Sequence, residues 1–177
     1  MRKNKLVVAC ILAATLLAGC NPTYNWRDYS SPDAPYRVMF PAKPASHTRS
    51  VNLDGVKVEM TMTAAEVEGV MFAVGTGVAE DAAGAQAAVD AMKTAMLRNI
   101  GATVQRESAS AASNGDPASA RKSIDLEATG AGNGGPMQLT GHFESRGKRF
   151  YQVIVLGKEK AVPAEQSEQF MKSFTLL

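Results

Sequence analysis

Cysteine is nearly absent from this chain. Cys10 and Cys20 are the only two among 177 residues, and both fall in the first twenty. That excludes a disulfide-dense secreted scaffold. Histidine is also scarce, with only His47 and His142, and their isolation offers no metal-ligand spacing. A net charge of +2 is no basic footprint for nucleic acid. The composition is otherwise balanced, with 45% hydrophobic, 20% charged and 6% aromatic residues. Disordered and collagen-like chains are therefore excluded, and the length suits one well-packed domain better than two.

The N-terminus reads as a targeting segment. Arg2, Lys3 and Lys5 precede an apolar and small-residue run from Leu6 to Gly19. Its 14 residues fall short of the roughly 20 that span a bilayer as a helix, and the pattern is that of a signal peptide core. The closing Leu17-Ala18-Gly19-Cys20 resembles the lipobox of bacterial lipoproteins. The resemblance implies that residues 1–19 are removed and that Cys20 becomes a lipidated first residue, with the covalent lipid as the only attached group. Asn21 follows where aspartate would signal inner-membrane retention, so the resemblance implies the outer membrane, facing the periplasm. Three of the 19 Lys and Arg and none of the 17 Asp and Glu leave with the signal. The remainder holds 16 against 17, a net charge of −1. No thiol is then left for a disulfide, a zinc site or a nucleophile.

Residues 20–35 carry three prolines and no periodicity, and read as a lipidated tether. Tyr24, Trp26 and Tyr29 are unusual for a linker; they suit either a membrane interface or a return onto the domain. From Tyr36 the pattern alternates as half-buried strands do. Tyr36, Val38 and Phe40 share one face. His47 to Leu53 predicts a strand that Asp54-Gly55 turns into the next. There Val56, Val58, Met60, Met62 and Ala64 form the expected core face, with Thr61 and Thr63 opposite. Glu68-Gly69 leads into Val70–Val78. Asp81 and Gly101 bracket a helix whose apolar stripe is Ala85, Val89, Met92, Met96 and Ile100. A short strand near 102–106 precedes a Ser/Ala/Gly-rich loop through Asn114-Gly115-Asp116-Pro117. Strands are expected near 120–129, 137–144 and 149–156, and Pro163 opens a last helix with Ser167, Phe170, Met171 and Phe174 inward.

Strands, helix, strands, helix with short turns predict an α+β domain over 36–177, a mainly antiparallel sheet of about seven strands against two helices. The opening Tyr36–Pro41 strand and the closing Phe170-Met171-Lys172-Ser173-Phe174 resemble the PsbP-like fold. Photosystem assembly proteins, a Ran-binding import factor and DcrB-type lipoproteins share it. The family carries no common catalytic residues, so the resemblance implies binding or stabilising work and assigns no site.

The chemical motifs are weak. Gly130-Ala131-Gly132-Asn133-Gly134-Gly135 has dinucleotide-loop spacing, but Pro136 and an alternating strand follow where a helix is required. Ser119 and Lys122 have the spacing of a penicillin-binding dyad without its companion motifs. Met60 and Met62 could offer paired soft sulfurs to copper(I), yet they lie on the expected core face, where methionine is an adaptable filler. His142 falls on the wet face as a surface histidine. Arg146, Lys148 and Arg149 gather at a turn and could meet lipid phosphates. The expectation is a membrane-anchored, non-catalytic binding or assembly-assisting module with an envelope protein partner. An envelope hydrolase, or a carrier of a small apolar ligand, is the alternative.

Overall fold

In the computed structural model, residues 23–113, 115–132 and 134–177 are described. The lipobox and Cys20 lie outside them. Alternation sets the strands. β1 (Arg27–Ser30), β2 (Tyr36–Phe40), β3 (Ala45–Leu53), β4 (Val56–Val67) and β5 (Val70–Val78) precede α1 (Ala82–Asn99). β6 (Ala102–Ala112), β7 (Arg121–Gly130), β8 (Met137–Arg146) and β9 (Arg149–Lys158) follow, then α2 (Ala164–Ser173) and β10 (Thr175–Leu176). Seven strands form one antiparallel sheet in the order β3-β4-β5-β9-β8-β7-β6, and β1-β2-β10 make a small second sheet. This is the expected α+β class.

The expected punctuation is in place. Asp54 and Gly55 both have positive φ, 52° and 93°, the geometry a two-residue hairpin turn needs and which Asp-Gly tolerates. The Asp81 carboxylate accepts from the Gly84 N–H at 2.7 Å, capping α1. Helix α1 lies on one face of the large sheet and buries Ala85, Ala88, Val89 and Met92 against Ile124, Leu126, Leu139, Phe143 and Ile154. On the opposite face, α2 and the small sheet bury Tyr36, Val38, Phe40 and Phe170 against Phe72, Val74, Val153 and Val155. The central strands β5 and β9 feed both cores, so they read as nearly continuous apolar runs.

Three expectations change here. Residues 20–35 are not a linker to their end: Arg27–Ser30 pair with Phe40–Arg37, and the Asn25 N–H donates to the Pro41 carbonyl at 2.7 Å. Trp26 sits edge-on to Phe72 with ring centroids 6.5 Å apart, and Tyr29 edge-on to Phe40 at 5.6 Å. The aromatics fold back onto the domain. Their rings pack on a hydrophobic face that local periodicity cannot show.

The second change is in β6, which continues to Ala112 where a loop was expected. It is an edge strand, exposed on both faces beyond its first residue, and so carries no burial pattern to read. The third is in β4, whose two faces are both used. Met60 is core as expected, but Val56 stands 58% exposed, outside the helix cover. Thr63 and Ala65 on the supposed wet face are buried under the small sheet. Thr63 keeps its hydroxyl satisfied there by Ser46 Oγ at 2.8 Å, so polarity on this face does not mean solvent.

Candidate functional site

Helix α1 packs chiefly on β6 to β9 and meets the opposite edge strand, β3, only around Leu53. Between its C-terminal half and the inner face of β3, β4 and β5 a groove of about 660 Å³ stays open, within the range of ordinary ligand sites, about 300–1,000 Å³. Five of the nine methionines line it: Met60 and Met62 from β4, Met71 from β5, Met92 and Met96 from α1. Val51, Leu53, Ile154 and Leu156 complete the apolar wall.

Register explains the composition. His47 lies opposite Met62 and Arg49 opposite Met60, and directly paired residues project to one face, so both polar groups reach the groove's lip. Gly75 pairs with Met62 from the other side. A Cβ there would collide with the Met60 methyl and the Met62 sulfur. Two flexible side chains thus cross a backbone that only glycine leaves clear, and they form the floor. The lining holds no hydroxyl, thiol, amine or carboxylate. Arg49 is exposed and forms no ion pair among the described residues. Chemically the groove can bind an apolar group and adapt its shape to it; the one side chain there with a basic lone pair is the His47 imidazole at the lip.

A second, polar recess of about 580 Å³ lies on the opposite face, between the C-terminal segment and β7–β8. His142 is its centre. Nδ1 meets Asp125 Oδ1 at 2.7 Å and Nε2 meets Glu144 Oε2 at 3.2 Å, while Phe174 stacks at a tilt with ring centroids 6.0 Å apart. Contrary to the expectation of a wet surface histidine, the side chain is only 22% exposed. The end of α2 folds over it, a long-range cover invisible to strand alternation. Burial alone would lower the imidazole pKa, but the hydrogen bonds and charges of Glu144 and Asp125 outweigh it and raise the pKa above 6.5. Arg121, Arg146 and Lys172 share the recess, which contains no serine or cysteine.

No family model and no curated protein matches this chain. Ser119 sits in a short 3-10 turn and Lys122 in β7. Lys122 pairs with Asp90 of α1, and the Ser119 hydroxyl donates to the Asp116 carbonyl at 2.8 Å. The glycine-rich stretch joins β7 to β8 with no helix after it, and Asn133 lies outside the described residues. Arg146 and Arg149 are register partners at the β8–β9 turn, beside exposed Lys148. Among the described residues no group of three His, Cys, Asp or Glu is placed to hold a metal, and no helix is long and apolar enough to cross a membrane. The sequence picked out Met60 and Met62 but missed the groove, whose other walls come from α1 and β9. The one available signal was nine methionines in a chain with only 6% aromatic residues.

Proposed function

We propose that this chain is a non-catalytic binding module of the bacterial cell envelope, held by lipid on Cys20 at the periplasmic side of the outer membrane. Its working surface is the methionine groove. The observation that carries the reading is the groove's lining, mostly adaptable thioethers and aliphatic side chains, with its few polar groups, His47 and Arg49 among them, and no hydroxyl, thiol or carboxylate. The PsbP-like order of elements supports the same class of work. The hydrolase alternative would have to use His47, which has no serine, cysteine or carboxylate beside it in the groove lining, or His142, both of whose ring nitrogens already bond to carboxylates.

Anchoring places the groove near its ligands. From Cys20 to Asn25, where backbone pairing begins, the chain reaches at most about 18 Å. A lipid on Cys20 would therefore keep the domain against the bilayer surface, and more than one acyl chain makes such attachment stable. Two experiments test the proposal. Cys20→Ser abolishes labelling by radioactive palmitate and releases the protein from washed membranes; a variant still labelled refutes the anchor. A photo-crosslinking residue at Met96 gives discrete adducts that one at exposed Lys148 does not. No adduct from Met96, together with turnover of an envelope substrate by purified protein, replaces the binding module with the enzyme.

A further inference from the structure

We infer that the groove's ligand is a single-chain anionic lipid, a free long-chain carboxylate whose chain lies over the methionines and whose head meets Arg49. The inference rests on the groove being the binding surface proposed above and adds the ligand's chemistry. Charge carries the argument. The lining contains one permanent cation, Arg49, plus the imidazole of His47, and no carboxylate. Arg49 has no internal partner among the described residues, so an anion binding there displaces only water. The guanidinium fork matches a carboxylate with two parallel hydrogen bonds.

Shape agrees with charge. His47 and Leu53 both line the groove, and six strand steps of about 3.3 Å separate them, so the trough runs roughly 20 Å along β3. A trough of that length, apolar beyond its polar end, has room for one chain rather than two. Arg49 projects from the same face of β3 as His47, towards one end of this run. A head on Arg49 therefore leaves four of those steps, about 13 Å along Val51 and Leu53, so a long chain bends across to the α1 methionines. Flexible thioethers tolerate variation in chain length and unsaturation, which fixed aromatic walls would resist.

The test uses the full chain in its own membranes, exposed to photoactivatable palmitate or to photoactivatable hexadecanol, with adducts mapped by mass spectrometry. Both probes label the groove residues, and palmitate labels them about fivefold more than the alcohol, the upper range for an exposed charge contact. Arg49→Gln equalises the two probes, whereas Arg49→Lys keeps part of the preference. Arg49 is exposed, so neither substitution disturbs the core; an unchanged thermal midpoint verifies this. Equal labelling by the two probes in the unsubstituted protein overturns the anionic ligand and leaves the binding surface standing. Labelling of the groove by neither probe overturns the binding surface as well.

Discussion

Replacing Trp26 and Tyr29 by alanine separates a packed N-terminal strand from a tether. Both rings are half-buried, and each stands edge-on to a fully buried phenylalanine, Trp26 on Phe72 and Tyr29 on Phe40. A fully buried aromatic costs about 3–5 kcal/mol on truncation to alanine, so half-burial sets about 2 kcal/mol for each. Together they remove about 4 kcal/mol from a domain whose whole stability is on the order of 5–15 kcal/mol. At this size that lowers the melting midpoint by about 8–16 °C. Far-UV circular dichroism reads the midpoint. Trp26, the only tryptophan, supplies a second readout in the Tyr29→Ala single variant. Its emission shifts red in the same transition that dichroism reports. A double variant that melts within about a degree of the unsubstituted protein, with Trp26 emission in the Tyr29→Ala single variant flat through unfolding, refutes the packed strand.

Two further predictions concern single side chains. Because the folded pKa of His142 is raised, its stabilising contribution is full below the ordinary value of about 6.5 and fades as pH rises through the folded value. The gap in urea midpoint between the unsubstituted protein and His142→Gln is therefore wide at about pH 6 and closes towards about pH 9; a gap that widens with pH contradicts the doubly clamped imidazolium. Asp81→Ala removes the α1 cap and costs about 1 kcal/mol, read as a lower denaturant midpoint with unchanged m-value, and Asp81→Ser restores most of it.

The sequence is most legible where burial is one-sided and local. The α1 stripe and cap, the Asp54-Gly55 turn and the three C-terminal strands follow from period and turn chemistry, and they fix the fold class. Legibility fails where burial comes from distant chain. Thr63 and Ala65 occupy positions that alternation assigns to solvent, yet a sheet built from the first and last strands covers them. His142 looks wet because its cover, Phe174, comes from thirty-two positions later. The second half of β6 fails for the opposite reason. Ser108 to Ala112 meet no core, so only backbone pairing with β7 makes them a strand. The groove is the hardest case, because it exists only through where α1 stops on the sheet, which no single segment encodes.

The pairing of β2 with both β1 and β10 has a consequence for the order in which the molecule can assemble. Thr175 and Leu176 pair with Arg37 and Tyr36, and the Leu177 N–H donates to the Pro35 carbonyl at 2.9 Å. A chain delivered N-terminus first can form β3–β5, α1 and the β7–β9 meander as they emerge. It cannot close its outer layer until β10 arrives. Until then Phe72, Val74, Val153 and Val155 lack the cover of Phe170, and a loop spanning nearly the whole domain must still close, which makes this the slow step. A chain that ends early therefore presents an uncovered apolar face, the mark by which proteases and chaperones distinguish unfinished protein from finished.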